Sequence, residues 1–510
     1  MPRVSENGCI TMLRRYSAML GYFKDKGKAA LLVRQVFQKI FISCLLVTLL
    51  FSAFTRCGQN TYGLNPQNPV VLTIWHYYNG AQKMAFDNMV QEFNETVGKE
   101  QGILLEAFSQ GSVNDLTNAV KNAANRKVGA QEMPDIFATY VDTAQEIDSM
   151  GLLASLDPYF SKDELSQYVE AYIDEGRFDA HGNLKVFPIA KSTEILLLNK
   201  TDWNAFSEKT DTQLNEIYTW EGIVRTAEKY YAYSGGKAFF GRDAFANYVI
   251  VGSKQLGHEI VHVKDGVGSL EFDLETLRKL WDNLYVPYVK GYFAKIGRFA
   301  SDDAKTGDII ALVGSSSSAS YFPQSVTKNN DESYPISCQA IPLPNFAGTQ
   351  PYAVQQGAGM AVTKSQSVKE YAAALFFKWF TESERNTEFA LQSGYLPVKK
   401  DAASFDILER AKNKLEKPMS ANVENTMKVA LKQSQEYTLY TNKAFSKGIE
   451  ARAVLEKTLM ERALSDRDKA MAEIRIGKSR EEALVPFLAD HSFEEWTAEL
   501  KRELESVLSN

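Results

Sequence analysis

The sequence predicts an α/β protein built of more than one folded unit, and three observations carry that prediction. Between residues 70 and 142, short β-rich runs alternate with helical periodicity in the order β-α-β-α-β, the pattern of a parallel sheet with covering helices. At 510 residues the chain is too long for one ordinary core and fits about two to three domains. Residues 184–203 read as a strand interrupted by Pro188, which an ordinary central strand does not tolerate. Such an interrupted strand is either a proline-bearing edge strand or a crossing between two lobes.

Taken in order, residues 70–75 (VVLTIW) form the first strand, and His76-Tyr77-Tyr78-Asn79-Gly80 break it. Phe86, Met89, Val90 and Phe93 then fall at helical spacing. Residues 103–108 are the second strand, Gln110-Gly111-Ser112 its loop, and 116–124 a helix. Residues 134–138 are the third strand, followed by Tyr140-Val141-Asp142. Ligands of such sheets bind beyond the carboxyl ends of the strands. That singles out His76, Tyr77, Tyr78, Asn79, Gln110, Ser112, Tyr140 and Asp142 as candidate ligand contacts. Each also has a plain structural reading, with Trp75 in the core and the tyrosines capping the sheet edge.

Farther on, residues 219–231 read as a helix. Phe239-Phe240-Gly241-Arg242-Asp243 sets rings beside a guanidinium and a carboxylate, so Phe240 and Arg242 are candidates; an Arg–Asp structural ion pair fits equally. His258-Glu259-Ile260-Val261-His262 matches a zinc-protease signature, which needs both histidines on one helical turn. The β-branched run and the turn residues Lys264–Gly268 predict a hairpin instead, so no metal is assigned. Residues 274–288 are helical again. A strand over 308–314 leads into four serines, which place small hydroxyls beside exposed backbone; Ser315 and Ser316 join the candidates, against a plain serine loop. Residues 371–380 are an amphipathic helix, and residues 405–510 are helical and highly charged. Residues 492–495 read as a capping box followed by the stripe Phe493, Trp496, Leu500, Leu504, expected to pack under the second lobe.

The N-terminus reads as an export address. Seven Lys or Arg residues lie between 14 and 39, an uncharged apolar run follows to residue 54, and Arg56-Cys57-Gly58 closes it. The long basic head is consistent with a start at Met12 or Met19. Residues 58–68 are polar and rich in Gly, Asn and Pro, a flexible tether. Four cysteines show no metal-like spacing and no disulfide framework. A net charge of −6 without a basic excess argues against a nucleic-acid partner. There is no Walker loop and no G-x-S-x-G nucleophile elbow, and no pair of carboxylates stands out as an acid and base, so no catalytic residue or cofactor is assigned.

The order Pro188, Ser192, Thr193, Leu196, Asn199, Lys200 resembles the first interlobe crossing of the family 1 extracellular solute-binding proteins of bacterial ABC importers. Trp75-His76 with Gly80, Phe93-Asn94, Pro134-Asp135-Ile136, residues 151–156, Pro342 with Pro344, residues 356–362 and Gly394-Tyr395-Leu396-Pro397-Val398 continue the likeness in order. The first loop is most similar to the glycerol-3-phosphate-binding branch, although Asn79 stands where that branch has an acidic residue and Val113 where it has a tyrosine. The resemblance implies a two-lobed periplasmic-binding-protein-like fold of type II, with discontinuous lobes and a helical C-terminal extension. Its implied boundaries are an export segment at 1–57, the tether, an N-terminal lobe of 69–187 and 315–365, and a C-terminal lobe of 188–314 and 366–510. It places the serine loop at the second crossing and adds Gly357 and Tyr395 to the ligand contacts.

Cys57 between an apolar run and a polar tether resembles a bacterial lipoprotein signal. It departs from the usual pattern at Phe54 and Arg56, and plain cleavage or an uncleaved anchor are the alternatives. Together these imply a monomeric, extracytoplasmic lipoprotein on the outer face of the cytoplasmic membrane. It would capture a sugar, oligosaccharide or polyol and pass it to the transmembrane subunits of an ABC permease. A surface glycan-binding or sensory module without a permease, and a glycoside-active enzyme, are the competing readings.

Overall fold

The computed structural model describes residues 62–509 apart from 265, 329–331 and 416–418. The export segment and Cys57 lie outside the described residues. By its contacts the chain divides into Met1–Gly63 and Leu64–Asn510, and everything below concerns the second unit. Residues 64–68, expected within the tether, form a turn: Leu64 is buried, and the Asn65 and Pro66 backbone packs on Gly102.

Two sheets organise the fold. In the first, β1 (Val70–His76), β2 (Ile103–Ser109) and β3 (Ile136–Thr139) run parallel, in the order β2-β1-β3. Helices α1 (Gly80–Phe93), α2 (Val113–Ala124) and α3 (Val141–Ser149) follow the three strands, and a short α4 (Glu170–Glu175) comes later. This is the β-α-β-α-β run that the alternation predicts. Two later strands complete the sheet: β4 (Val186–Phe187), and β14 (Gly359–Val362), which runs antiparallel between β3 and β4.

The chain then crosses. After β4 it passes Pro188 and becomes β5 (Glu194–Asn199), a strand of the second sheet. Every residue of β5 is buried, and its side chains alternate between two cores. Leu196 and Leu198 join the cluster around Trp203, Phe206 and Trp220, whereas Ile195 and Leu197 join one holding Ile309 and Leu391. The proline thus marks a crossing, and the continuous apolar run reflects burial on both faces.

After β5 come α5 (Lys200–Thr210), α6 (Trp220–Ser234), β6 (Phe240–Arg242) and α7 (Phe245–Gln255). The expected hairpin is present as β7 (Val261–Lys264) and β8 (Val267–Leu270), turning at Gly266 with φ +75°. Next are α8 (Leu274–Val289), α9 (Ala300–Thr306) and β9 (Ala311–Ser315). A small pair, β10 (Ser325–Thr327) and β11 (Ser333–Pro335), precedes β12 (Cys338–Pro342). The second sheet has the order β12-β5-β9-β6.

These pairings differ from the boundaries expected for the lobes. Residues 338–342 were expected in the first lobe, but β12 lies along the outer edge of β5, register Cys338↔Asn199 to Pro342↔Ile195. Pro342 is tolerated because this is an edge strand. The return to the first sheet is made not at the serine loop but at Gln355-Gln356-Gly357-Ala358, between β13 (Tyr352–Val354) and β14. Helices α10 (Ser367–Phe380) and α11 (Ser383–Ser393), expected in the second lobe, pack on the first. Phe376, Phe380 and Phe389 contact Phe86, and Phe377 stacks on Phe187. The apolar stripe that the sequence shows there is simply buried against the other lobe.

The remainder is helical: α12 (Phe405–Asn413), α13 (Ala421–Glu436), the short β15 (Thr438–Tyr440) beside β13, then α14 (Gly448–Arg475), α15 (Arg480–Leu488) and α16 (Asp490–Leu508). The tail packs on the second lobe as expected. Phe493, Trp496, Leu500 and Leu504 are buried in its core, with Trp496 against Trp281, ring centroids 5.2 Å apart. The capping box is not at Ser492, however. Helix α16 begins at Asp490, and Ser492 sits in its first turn, its hydroxyl donating to the Pro486 carbonyl at 2.9 Å.

Candidate functional site

The carboxyl ends of β1, β2 and β3 meet one another at a single edge, because the three strands run parallel in register. At β1, His76 is fully buried. Its Nδ1 accepts from the Tyr78 N–H at 3.1 Å, its ring touches Tyr78 and Phe86, and its Nε2 has no partner. Burial lowers its pKa to about 4, so it is a neutral ring, with its proton on Nε2, that props Tyr78 from inside the lobe.

Four tyrosines from three segments then converge. The Tyr77 hydroxyl lies 3.3 Å from that of Tyr395 and is also hydrogen-bonded to Tyr140 and to the backbone of Ala358. The Tyr78 ring stands edge-on to Tyr395, centroids 5.9 Å apart. Burial raises the pKa of all four phenols, so they stay neutral, able both to donate and to accept. Tyr140 keeps 39% of its surface exposed although dense surrounding protein desolvates its phenol, which is how a side chain on a cleft wall behaves. Tyr321 of the second lobe, 66% exposed, bears electrostatically on Tyr395.

The other loop residues are committed to structure. The Asn79 side chain donates to the carbonyls of Tyr77 (2.9 Å) and Gly111 (2.7 Å), clamping two loops together. Ser112 forms a capping box with Asp115 at the start of α2. Gln110 continues the sheet edge, its N–H donating to the His76 carbonyl at 2.8 Å. Asp142, in the first turn of α3, abuts Gly448 rather than open space.

In the second lobe, Phe240 and Arg242 are fully buried. Arg242 donates to Glu194 (2.9 Å) and to the Ala244 carbonyl (2.7 Å), and its guanidinium lies over Trp220 and Tyr248. Asn247 donates to the other Glu194 oxygen at 2.7 Å. The arginine is therefore an internal ion pair, with Glu194 and not with Asp243, which holds Lys295 and the Ala300 N–H. Ser315 caps the short turn after β9 through the Ser317 N–H, 3.3 Å. Ser316 is buried and staples that turn to the first crossing: its N–H donates to the Thr193 carbonyl (2.7 Å), and its hydroxyl accepts from the Thr193 N–H (3.3 Å).

The crossings carry groups that the sequence reading did not single out. Lys191, buried, pairs with Glu175 and donates to the Gly357 carbonyl at 2.7 Å. Gln355 donates to the same Glu175 at 2.6 Å. Gly357 has φ +96°, and a Cβ there would meet Ala190 and Lys191 at 3.0 Å, so glycine is required for the close approach of two crossing strands. The signal in the sequence was a lysine directly after the apolar Ile189-Ala190 of the crossing, where a buried charge demands a partner.

A cavity of about 820 Å³ also lies between the lobes, bordered by α3 and α4 on one side and by β7, Tyr440 and residues 441–444 on the other. None of the expected ligand contacts lines it, although Val141, between Tyr140 and Asp142, does. Among the described residues no group of three or more His, Cys, Asp or Glu side chains could hold a metal ion.

The family profile of bacterial extracellular solute-binding proteins matches residues 88–416, and the chain belongs to that family. A search of curated protein sequences finds no match. Among solved structures, the cyclic α-maltosyl-1,6-maltose binding protein from Arthrobacter globiformis is similar with a TM-score of 0.63 at 19% identity, over 86% of this chain and 99% of that one. The GacH receptor of Streptomyces glaucescens, solved unliganded and with acarbose, gives 0.61 at 14%, over 86% and 98%. UgpB from Mycobacterium tuberculosis, solved with glycerophosphocholine, gives 0.61 at 16%, over 87% and 99%. The two-lobed α/β architecture is thus that of solute-binding proteins.

Proposed function

We propose that this protein captures a sugar, oligosaccharide or polyol outside the cytoplasm and delivers it to an ABC permease. The observation that carries the reading is the convergence of Tyr77, Tyr78, Tyr140 and Tyr395 at the carboxyl edge of the first sheet, beside Tyr321 of the second lobe. Neutral phenols and ring faces suit a ligand with hydroxyls on its rim and C–H patches on its faces. The GacH receptor, solved with acarbose, and UgpB, solved with glycerophosphocholine, support a polyhydroxylated ligand, with a phosphodiester as the outlier.

A ligand that touches both lobes favours the arrangement in which they close, and a permease can read that difference. Lipidation at Cys57 would keep the monomer at the membrane. Among the described residues no helix is long and apolar enough to cross a membrane, so an anchor would have to come from the N-terminal segment. The test is a thermal-shift screen of the full chain with maltotriose, acarbose, glycerol and glycerophosphocholine, followed by mass spectrometry of the ligand. A compound that raises the melting temperature and is recovered intact supports a receptor. One consumed during incubation supports the enzyme reading instead.

A further inference from the structure

The first turn of α14 meets the first lobe at Asp142. Gly448 opens that helix, and a Cβ there would stand 2.5 Å from Asp142 Oδ1 and 2.8 Å from its Cγ. The Phe445 backbone N–H donates to the same carboxylate, and Arg452, one turn into the helix, attracts it. Arg452 is itself bonded to Asn247 of α7, which donates to Glu194 at the start of β5. The body of α14, through Leu455, Leu459 and Ala463, belongs to the second lobe's core. The Asp142 side chain of one lobe is thus lodged against the first turn of a 28-residue helix of the other.

Gly448 has no left-handed φ, so its backbone does not need glycine, and alanine is the better helix former. A Cβ at 448 would oblige the Asp142 carboxyl group to shift from its place against the helix. The contact forms one rim of the interlobe cavity, whose walls include Val141 and Gln145 from α3 and Ala444 from the segment before α14.

We propose that Asp142 and the first turn of α14 form a latch between the two lobes, and that it is the task of the C-terminal tail to present its half. The latch is sensitive to protons. Burial raises the Asp142 pKa from 3.8 to about 6, Glu175 and Glu450 add to the rise, and Arg452 and the Phe445 N–H oppose it. Lys191 neutralises Glu175 from the crossing strand. A carboxyl whose pKa is higher when latched than when released to water is bound best in its protonated form. The latch is therefore firmest below about pH 4, loosens as pH rises through 6, and is constant above.

Hydrogen exchange by mass spectrometry on the full chain, without ligand, tests this independently of which solute is bound. Gly448→Ala is expected to speed exchange about tenfold in peptides covering 139–149, 188–193 and 441–452. Asp142→Ala, which removes atoms and adds none, is expected to loosen the same three peptides. In the double variant, alanine at 448 costs nothing further, because the carboxylate it would strike is gone. In the wild-type chain, rates corrected for intrinsic exchange rise several-fold between pH 4.5 and 7, and Asp142→Asn abolishes that rise. The proposal is overturned if the changes stay within 441–452 and spare the crossing at 188–193. It is equally overturned if Gly448→Ala costs the same with and without Asp142, or if Asp142→Asn keeps the pH dependence.

Discussion

The two lobes use similar side chains in opposite ways. In the first, the rings that follow β1 and β3 gather at the sheet edge, where Tyr78 is buried but Tyr140 remains 39% exposed. In the second, the rings and charge at 239–243 turn inward, and Phe240 and Arg242 are fully buried. The difference lies in a distant partner. Glu194, at the head of the crossing strand, offers Arg242 a carboxylate inside the lobe, and Trp220 and Tyr248 offer it ring faces. Tyr140 is held instead by a hydroxyl contact with Tyr77, and part of its ring stays in water. Under the proposed function the exposed ring serves binding, whereas the same residue types with an internal partner serve architecture.

This contrast can be broken by mutation, and the largest effect is expected at Arg242. Arg242→Ala leaves Glu194 charged and buried, and is expected to cost about 3–5 kcal/mol of unfolding free energy in a urea titration. Next comes His76. Its pKa is depressed from 6.5 to about 4, so the unfolded chain binds a proton that the folded chain refuses. Stability is therefore intact above about pH 6.5 and falls as pH drops toward 4, by up to about 3 kcal/mol for this residue. His76→Gln should flatten that part of the stability–pH curve. Asp142 acts with the opposite sign between 3.8 and about 6, so the two slopes are separated by making each variant alone.

A smaller effect sharpens the comparison from the other side. Tyr140→Ala should weaken ligand binding about tenfold, near 1.4 kcal/mol, in a calorimetric titration. The same change should cost about 1 kcal/mol of unfolding free energy, through the lost hydroxyl contact with Tyr77. Smallest is Ser112→Ala, which removes the cap of α2 and should cost about 1 kcal/mol of stability while leaving affinity unchanged.

Much of the first lobe could be read directly from the sequence, because its strands and helices follow one another and each carries its own periodicity. At Pro188 the residues alone left an edge strand and a crossing open, and the family resemblance favoured the crossing. What escaped depends on partners far away in the chain. Residues 338–342 look like a hinge by their prolines, and only pairing with β5 shows an edge strand. The phenylalanines of α10 show an apolar face but not which lobe covers it. Ser492 has the spacing of a cap, yet Ala489 already ends one helix and opens the next, so the serine falls inside α16. At the site, the tyrosines were visible as loop residues. The bonds that occupy Asn79 and Ser112, and the Lys191–Glu175–Gln355 group at the crossings, were not.

The most direct test of the central claim is a thermal-shift titration of the wild-type chain and of Tyr140→Ala with maltotriose, acarbose and glycerophosphocholine, each at several concentrations. The account predicts that at least one of the two sugars raises the wild-type melting temperature and that Tyr140→Ala needs about tenfold more of it for the same shift. A shift that is identical in both chains, or no shift with either sugar, would contradict a polyol site at the tyrosine edge.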